Sequence, residues 1–264
     1  MKIKCVWEHN GNDSLLYSTN YIGAFTRGET REIALGKMQG EVEAYLRWRE
    51  RTSLSDSEVH GSSEGRINFR VQIHGENSQS VSESNVNIEV IQDHPSGLDI
   101  CDADSDVLFD SEKAPLTMQE YLGLKALALK SAEDFLALYE AIPDKHSSVL
   151  AEKKTFLGPR PRTAFEMYEH TKSVNSYYFG EIGVEADREG NIYECRERGF
   201  ELLEQQADFL NNQVVQGSYD EEWSLRKVLR RFIWHDRIHA KAMYRMAKKT
   251  FPGVEIPDVF RFES

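Results

Sequence analysis

Two histidines four residues apart lie in the run Trp234-His235-Asp236-Arg237-Ile238-His239. On a helix such a pair is separated by about 40° of rotation and about 6 Å of rise, so both imidazoles lean from one face toward a common transition metal. Val228, Phe232 and Ala242 share that stripe, so the rings point where core residues point. Two adjacent imidazoles in a core need either a metal or a dedicated hydrogen-bond network. Taken alone, H-x-x-x-H is a weak signal and reads more readily as a structural pair at a helix surface. A third histidine on a separate helical pattern, His170, changes that balance; it shares a stripe with Glu166, Val174 and Tyr177. The other five (His9, His60, His74, His94 and His146) fall in strands, loops or beyond a helix stop, and read as ordinary polar residues.

The elements that must position these groups follow from hydrophobic period. From Leu116 onward apolar residues recur at helical spacing. The first helix is expected over residues 117–142, opened by a Thr117/Glu120 capping box and stopped by Pro143. Others are expected over residues 163–180, after Pro159-Arg160-Pro161, over 192–210, and over 221–251, where Pro252-Gly253 ends the pattern. Four such stripes are buried most simply as a four-helix bundle. The first hundred residues read instead at period two. Ile3, Cys5 and Trp7 alternate, Gly11-Asn12-Asp13 supplies a turn, Leu15-Leu16-Tyr17 resumes an extended run, and Tyr21 to Phe25 is a third short strand. Ile67, Phe69, Val71 and Ile73 alternate, as do Val86, Ile88 and Val90, while Ser/Gly-rich stretches at 53–65 and 75–85 read as loops. Between the strands, Ile33, Leu35, Met38, Val42, Tyr45 and Leu46 form one helical stripe. The expected class is α+β: a small N-terminal antiparallel sheet with one long helix (residues 1–95), an acidic connector (96–115), and a C-terminal four-helix bundle (116–264).

The connector carries seven acids and no Lys or Arg between Asp93 and Glu112. Its Asp102, Asp104 and Asp106 imitate a calcium loop, but Val107 stands where the turn glycine belongs and Lys113 where the bidentate Glu belongs. A solvated segment is the expectation. The chain has 264 residues with 32 Lys and Arg against 44 Asp and Glu, a formal charge of −12, which as a whole repels duplex DNA and anionic membranes. No apolar run approaches membrane-spanning length and the first residues lack a secretion signal, so a cytoplasmic location is expected. Three scattered cysteines indicate neither a disulfide framework nor a zinc ribbon. No G-x-G-x-x-G or Walker lysine is present.

The run Thr163-Ala164-Phe165-Glu166-Met167-Tyr168-Glu169-His170, with Trp223 to His239 later, resembles the DinB-like superfamily over roughly residues 116–251. That resemblance implies a four-helix bundle whose metal is held by one His of the second helix and an H-x-x-x-H pair of a later one. Carried onto this chain, it implies a zinc- or nickel-type site from His170, His235 and His239, often completed by water, and frequent homodimers. Family activities, where assigned, are thiol-dependent transferase or isomerase reactions and some hydrolysis. Three protein ligands with an open position suit catalysis, whereas structural zinc usually takes four. Around such an ion, Glu166 is the candidate general base or partner to a ring N–H, Tyr177 a candidate donor to a bound anion, and Arg231 a candidate partner for a substrate carboxylate.

A zincin-like protease is the rival, since Asp236 stands where Glu stands in H-E-x-x-H, but Asp is a methylene shorter and His170 is a better third ligand than anything in the tail. Tyr21 to Trp48, through Gly28-Glu29-Thr30 and into Val42-Glu43-Ala44-Tyr45-Leu46, is similar to the HicB-like antitoxin domain. It lacks that family's strand-to-turn Pro, which suggests a covering or dimerising module. Trp223 to Lys249 holds nine basic residues and one acid, Asp236. A nucleic-acid stripe is the less favoured reading; basic residues near a helix C-terminus and neutralisation of the acidic connector are the others. The expectation is therefore a metal-dependent protein acting on a small molecule by thiol-dependent transfer or hydrolysis. The alternative is a non-enzymatic binding or regulatory protein with a structural metal.

Overall fold

The computed structural model describes residues 1–50, 86–100, 104–155 and 158–263. Strands β1 (Lys2–His9), β2 (Ser14–Ser18), β3 (Phe25–Gly28) and β4 (Asn87–Pro95) form one sheet in the order β3-β2-β1-β4. β1, β2 and β3 pair antiparallel as expected, but β4 runs parallel to β1, so the sheet is mixed. The parallel pairing is possible because the long helix α1 (Arg31–Glu50) and the chain after it intervene, and a parallel pair needs a crossover of a dozen residues or more. The alternating stretch Ile67 to Ile73 and both Ser/Gly-rich stretches lie outside the described residues. So does Asp102 of the imitated calcium loop.

The third strand starts at Phe25 rather than Tyr21. Ala24 donates its N–H to the Tyr21 carbonyl, and Gly23 takes φ +95° in that turn. A Cβ there would lie 2.3 Å from Cγ2 of Ile233, so the absent side chain lets the sheet module seat on the bundle.

The period-two pattern sorts side chains onto two faces. Ile3, Cys5 and Leu16 join one apolar cluster with Met38 and Trp48 of α1 and with the bundle core. Val6, Leu15 and Tyr17 face the other way, into a smaller cluster with Phe25, Ile100, Val107, Phe109 and Trp234. The acidic segment is thus not simply solvated: Val107, Leu108 and Phe109 are buried, and it covers the second face of the sheet.

The bundle comprises α2 (Met118–Ala141), α3 (Ala164–Gly180), α4 (Ile192–Glu204) and α5 (Leu225–Thr250). Thr117 caps α2 with Glu120 in the expected reciprocal box, and Ser224 caps α5. Helix α4 stops six residues short of its expected end, because Asp208 and Asn212 adopt left-handed backbone around a 3₁₀ turn at Phe209–Asn211. Helix α5 starts four residues late, because Glu222–Trp223 pairs with Val215–Gln216 in a short hairpin. No helix among the described residues is long and apolar enough to cross a membrane.

Helix α5 lies between bundle and sheet module, so it is buried almost all round, charges included. Arg230 bonds Glu112, Arg237 bonds Glu41 of α1 at 2.7 Å, and Lys227 pairs with Glu221 at 2.8 Å. Toward its ends, Arg226 bonds the carbonyls of Ala114 and Pro115, and Lys248 pairs with Glu263. Much of the basic run is therefore neutralised within the molecule.

Candidate metal centre

His170 stands on the second turn of α3, and His235 and His239 on adjacent turns in the middle of α5. Helices α3 and α5 pack side by side, and this brings the three rings together. Ring centroids are 5.1 Å apart for His170–His235, 4.7 Å for His170–His239 and 4.4 Å for His235–His239. One ring nitrogen from each lies within 4.8 Å of the others. The helical spacing and the third histidine thus converge on a single cluster.

The cluster is graded from core to surface. His235 is buried, His239 is intermediate, and His170 is exposed along one side. Tyr178 stands edge-on to His235, with centroids 6.1 Å apart. Burial drives the His235 pKa well below its ordinary value, and His239, His170, Arg231 and Arg196 push it the same way. Burial, with His170 and Arg160, pulls His239 down to about 3. Desolvation by the surrounding chain lowers His170 as well. All three rings are accordingly neutral at pH 7, the state in which imidazole donates a lone pair to a metal. Nδ1 of His235 is buried with no hydrogen-bond partner among the described residues, although buried polar atoms are normally satisfied. Three neutral imidazoles with one orphaned ring nitrogen fit a divalent transition ion.

The surrounding candidates are placed differently. Oε2 of Glu166 accepts from the backbone N–H groups of Arg162 (2.8 Å) and Thr163 (3.1 Å), while Thr163 caps α3 in return. Those amides hold its carboxyl below the usual range. Glu166 is thus a helix-capping residue one turn before His170, engaged with its own N-terminus. Tyr177 is half-buried against Trp223, at 5.9 Å between centroids, and burial with Glu181 and Glu221 raises its pKa. Arg231 is buried one turn before His235, bonds Glu221 at 3.3 Å and lies over the rings of Tyr178, Trp223 and Trp234. That guanidinium is a structural partner of Glu221 and an electrostatic neighbour of the histidines.

Asp236, the would-be protease base, points elsewhere. It is fully buried, and its carboxylate takes both Nη1 (2.5 Å) and Nη2 (3.0 Å) of Arg196 from α4 and the hydroxyl of Ser131 (2.5 Å) from α2. The zincin-like reading fails on this commitment. Arg196 also donates to Asn175 on α3 and to the Ala128 carbonyl on α2, and stacks 4.4 Å from the Phe232 ring centroid. The pair ties the centre of the bundle together beside His235 and His239, and sequence reasoning did not find it. The available signal was Asp236 itself, the lone acid in a basic helix.

Comparison with models of known protein families, with curated proteins and with solved structures finds no match to this chain.

Proposed function

We propose that the chain is a metal-dependent protein of the DinB-like kind, in which His170, His235 and His239 hold one divalent ion, zinc or nickel. The N-terminal module, HicB-like in pattern, serves on this reading as a cover for one side of α5. The observation that carries the reading is the convergence of three imidazoles from two helices, one of them with a buried ring nitrogen that has no partner among the described residues. A bound ion of this class supplies Lewis acidity, lowering the pKa of a water or of a substrate thiol. The chain's own residues do the rest. His235 and His239 are fixed by the burial of α5, and the exposed side of His170 leaves an approach for a small molecule. Tyr177 offers a half-buried hydroxyl on α3 for an anion. Thiol-dependent transfer or hydrolysis on a small molecule is the activity this arrangement suits, with a homodimer as the assembly the resemblance implies.

Elemental analysis of protein purified without added metal tests the ligand set. Near-stoichiometric zinc or nickel is expected in the parent and in His146→Ala, whose ring is exposed and stands against Phe165. His239→Ala is expected to lose the ion of this centre; undiminished content in that variant rejects the assignment. Chelation separates the catalytic reading from the structural alternative. A catalytic ion leaves the fold intact while turnover of small electrophiles with thiols is lost; a structural one takes the thermal transition down with it.

A further inference from the structure

We propose that Glu8, His94 and Asp106 form a second divalent-metal site, separate from the three-histidine centre, on the face of the sheet covered by the acidic segment. Glu8 and His94 are Cα partners in the parallel β1/β4 pair, so their side chains leave the same face as direct neighbours. Ile91 is passed over between the pairs Cys5–Val90 and Val6–Gln92, and this one-residue irregularity brings His94 into register with Glu8. The acidic segment folds over that face and adds Asp106. A carboxylate oxygen of Glu8, a ring nitrogen of His94 and a carboxylate oxygen of Asp106 lie within 4.8 Å of one another.

The observation that points to a ligand is Glu8 itself. Its residue is 0% exposed. Oε2 accepts from the hydroxyls of Tyr17 (2.8 Å) and Ser105 (2.7 Å), whereas Oε1 is buried with no hydrogen-bond partner among the described residues. Arg231, the cation whose charge acts on Glu8, hydrogen-bonds Glu221 instead. A buried carboxylate oxygen left open is costly unless a cation or donor fills the place. His94 and Asp106 are the groups beside it, held 3.4 Å apart, with side chains 34% and 45% exposed, so an ion arriving from solvent meets them first. One imidazole and two carboxylates make a harder donor set than three imidazoles, suited to Zn²⁺ and also to Mn²⁺.

The test is equilibrium dialysis of the metal-stripped full-length chain against Zn²⁺, read by elemental analysis, with circular dichroism to confirm folding. Two ions per chain are expected for the parent and one for His239→Ala. In the His239→Ala background, adding His94→Ala removes the remaining ion, and Asp106→Asn, which preserves shape, weakens it at least tenfold. His9→Ala, whose ring pairs with Asp93 and stacks on Trp7, leaves it unchanged. Mn²⁺ paramagnetic resonance gives the same ranking with the harder ion. The proposal is overturned if His239→Ala binds no ion, or if His94→Ala and Asp106→Asn both bind with the affinity of their background. A parent binding one ion, lost in His94→Ala but kept in His239→Ala, sustains this site and removes the three-histidine reading instead.

Discussion

Asp236→Ala is the sharpest perturbation the bundle offers. Arg196 and Asp236 are both fully buried, and the carboxylate is the only anion bonded to that guanidinium among the described residues. Removing it strands a charge that keeps only neutral partners: Asn175, Ser131 and the Ala128 carbonyl. Breaking a buried pair from one side costs about 3–5 kcal/mol, whereas replacing both members by apolar residues of similar volume is often near neutral. For a chain of this size about 2 °C of Tm accompanies each kcal/mol, so a fall of roughly 6–10 °C is expected. The assay is urea and thermal unfolding followed by circular dichroism, on metal-stripped protein so that bound ions do not add their own stabilisation. The single variants Arg196→Met and Asp236→Leu, with the double variant that combines them, make a cycle around the same pair. The double variant is expected to be more stable than Asp236→Ala or Asp236→Leu alone, with a coupling energy across the cycle on the order of 2 kcal/mol or more. An Asp236→Ala variant within about 1 kcal/mol of the parent, or a double variant showing the plain sum of the single losses, refutes the reasoning.

Two further outcomes concern pH. Burial draws the Lys227 pKa down to about 8, from 10.5, despite its pairing with Glu221. Between those values the unfolded chain holds more protons than the folded one, so the lysine's unfavourable contribution, complete below pH 8, is relieved as pH rises toward 10.5. The stability of the parent relative to Lys227→Met is therefore expected to improve from pH 7.5 to 9.5, by at most about 3 kcal/mol; a flat difference counts against the desolvated lysine. The three histidines, all lowered, resist protonation in the folded chain, so their contribution to stability is lost as pH falls below about 6.5, where the unfolded chain takes up protons first. While the chain stays folded, release of the ion of the three-histidine centre on acidification is expected below the ordinary imidazole range, and release with a midpoint near 6.5 counts against the lowered rings.

Helix existence, several caps and the histidine convergence were legible because each is a local or periodic property. Thr117-x-x-Glu120 marks a helix start whatever packs on it, and His235/His239 share a face on any α-helix. What was not legible depends on partners distant in the chain. Thr163-x-x-Glu166 carries the same capping signature, yet a carboxylate one turn from a candidate ligand histidine also suits a catalytic base; the structure commits it to the cap. The parallel placement of β4 follows from which edge the strand joins after α1, which alternation alone does not encode. His94 read as an ordinary polar residue because its neighbours Glu8 and Asp106 are set by register and by a folded-back segment, neither of which has a sequence period.

Helix α5 shows why so many charges are buried around one metal candidate. Arg230 reaches the 3₁₀ turn at Glu112, Asp236 reaches α4 through Arg196, Arg237 reaches α1 through Glu41, and His235 with His239 reaches α3 at His170. Arg230 and Arg237, seven residues apart, share one side of the helix, while Asp236 and the histidine pair leave it in two other directions. A slip of one residue along α5 amounts to about 1.5 Å and 100°, enough to part all of them at once. Each separated ion pair would leave an uncompensated buried charge at a cost of several kcal/mol, so competing registers of α5 are disfavoured together. An apolar helix of the same shape would pack with fewer such penalties and with less to distinguish one register from the next. The buried pairs therefore hold His235 and His239 at one rotation and one height against His170, which is what a metal-binding trio needs before any ion arrives.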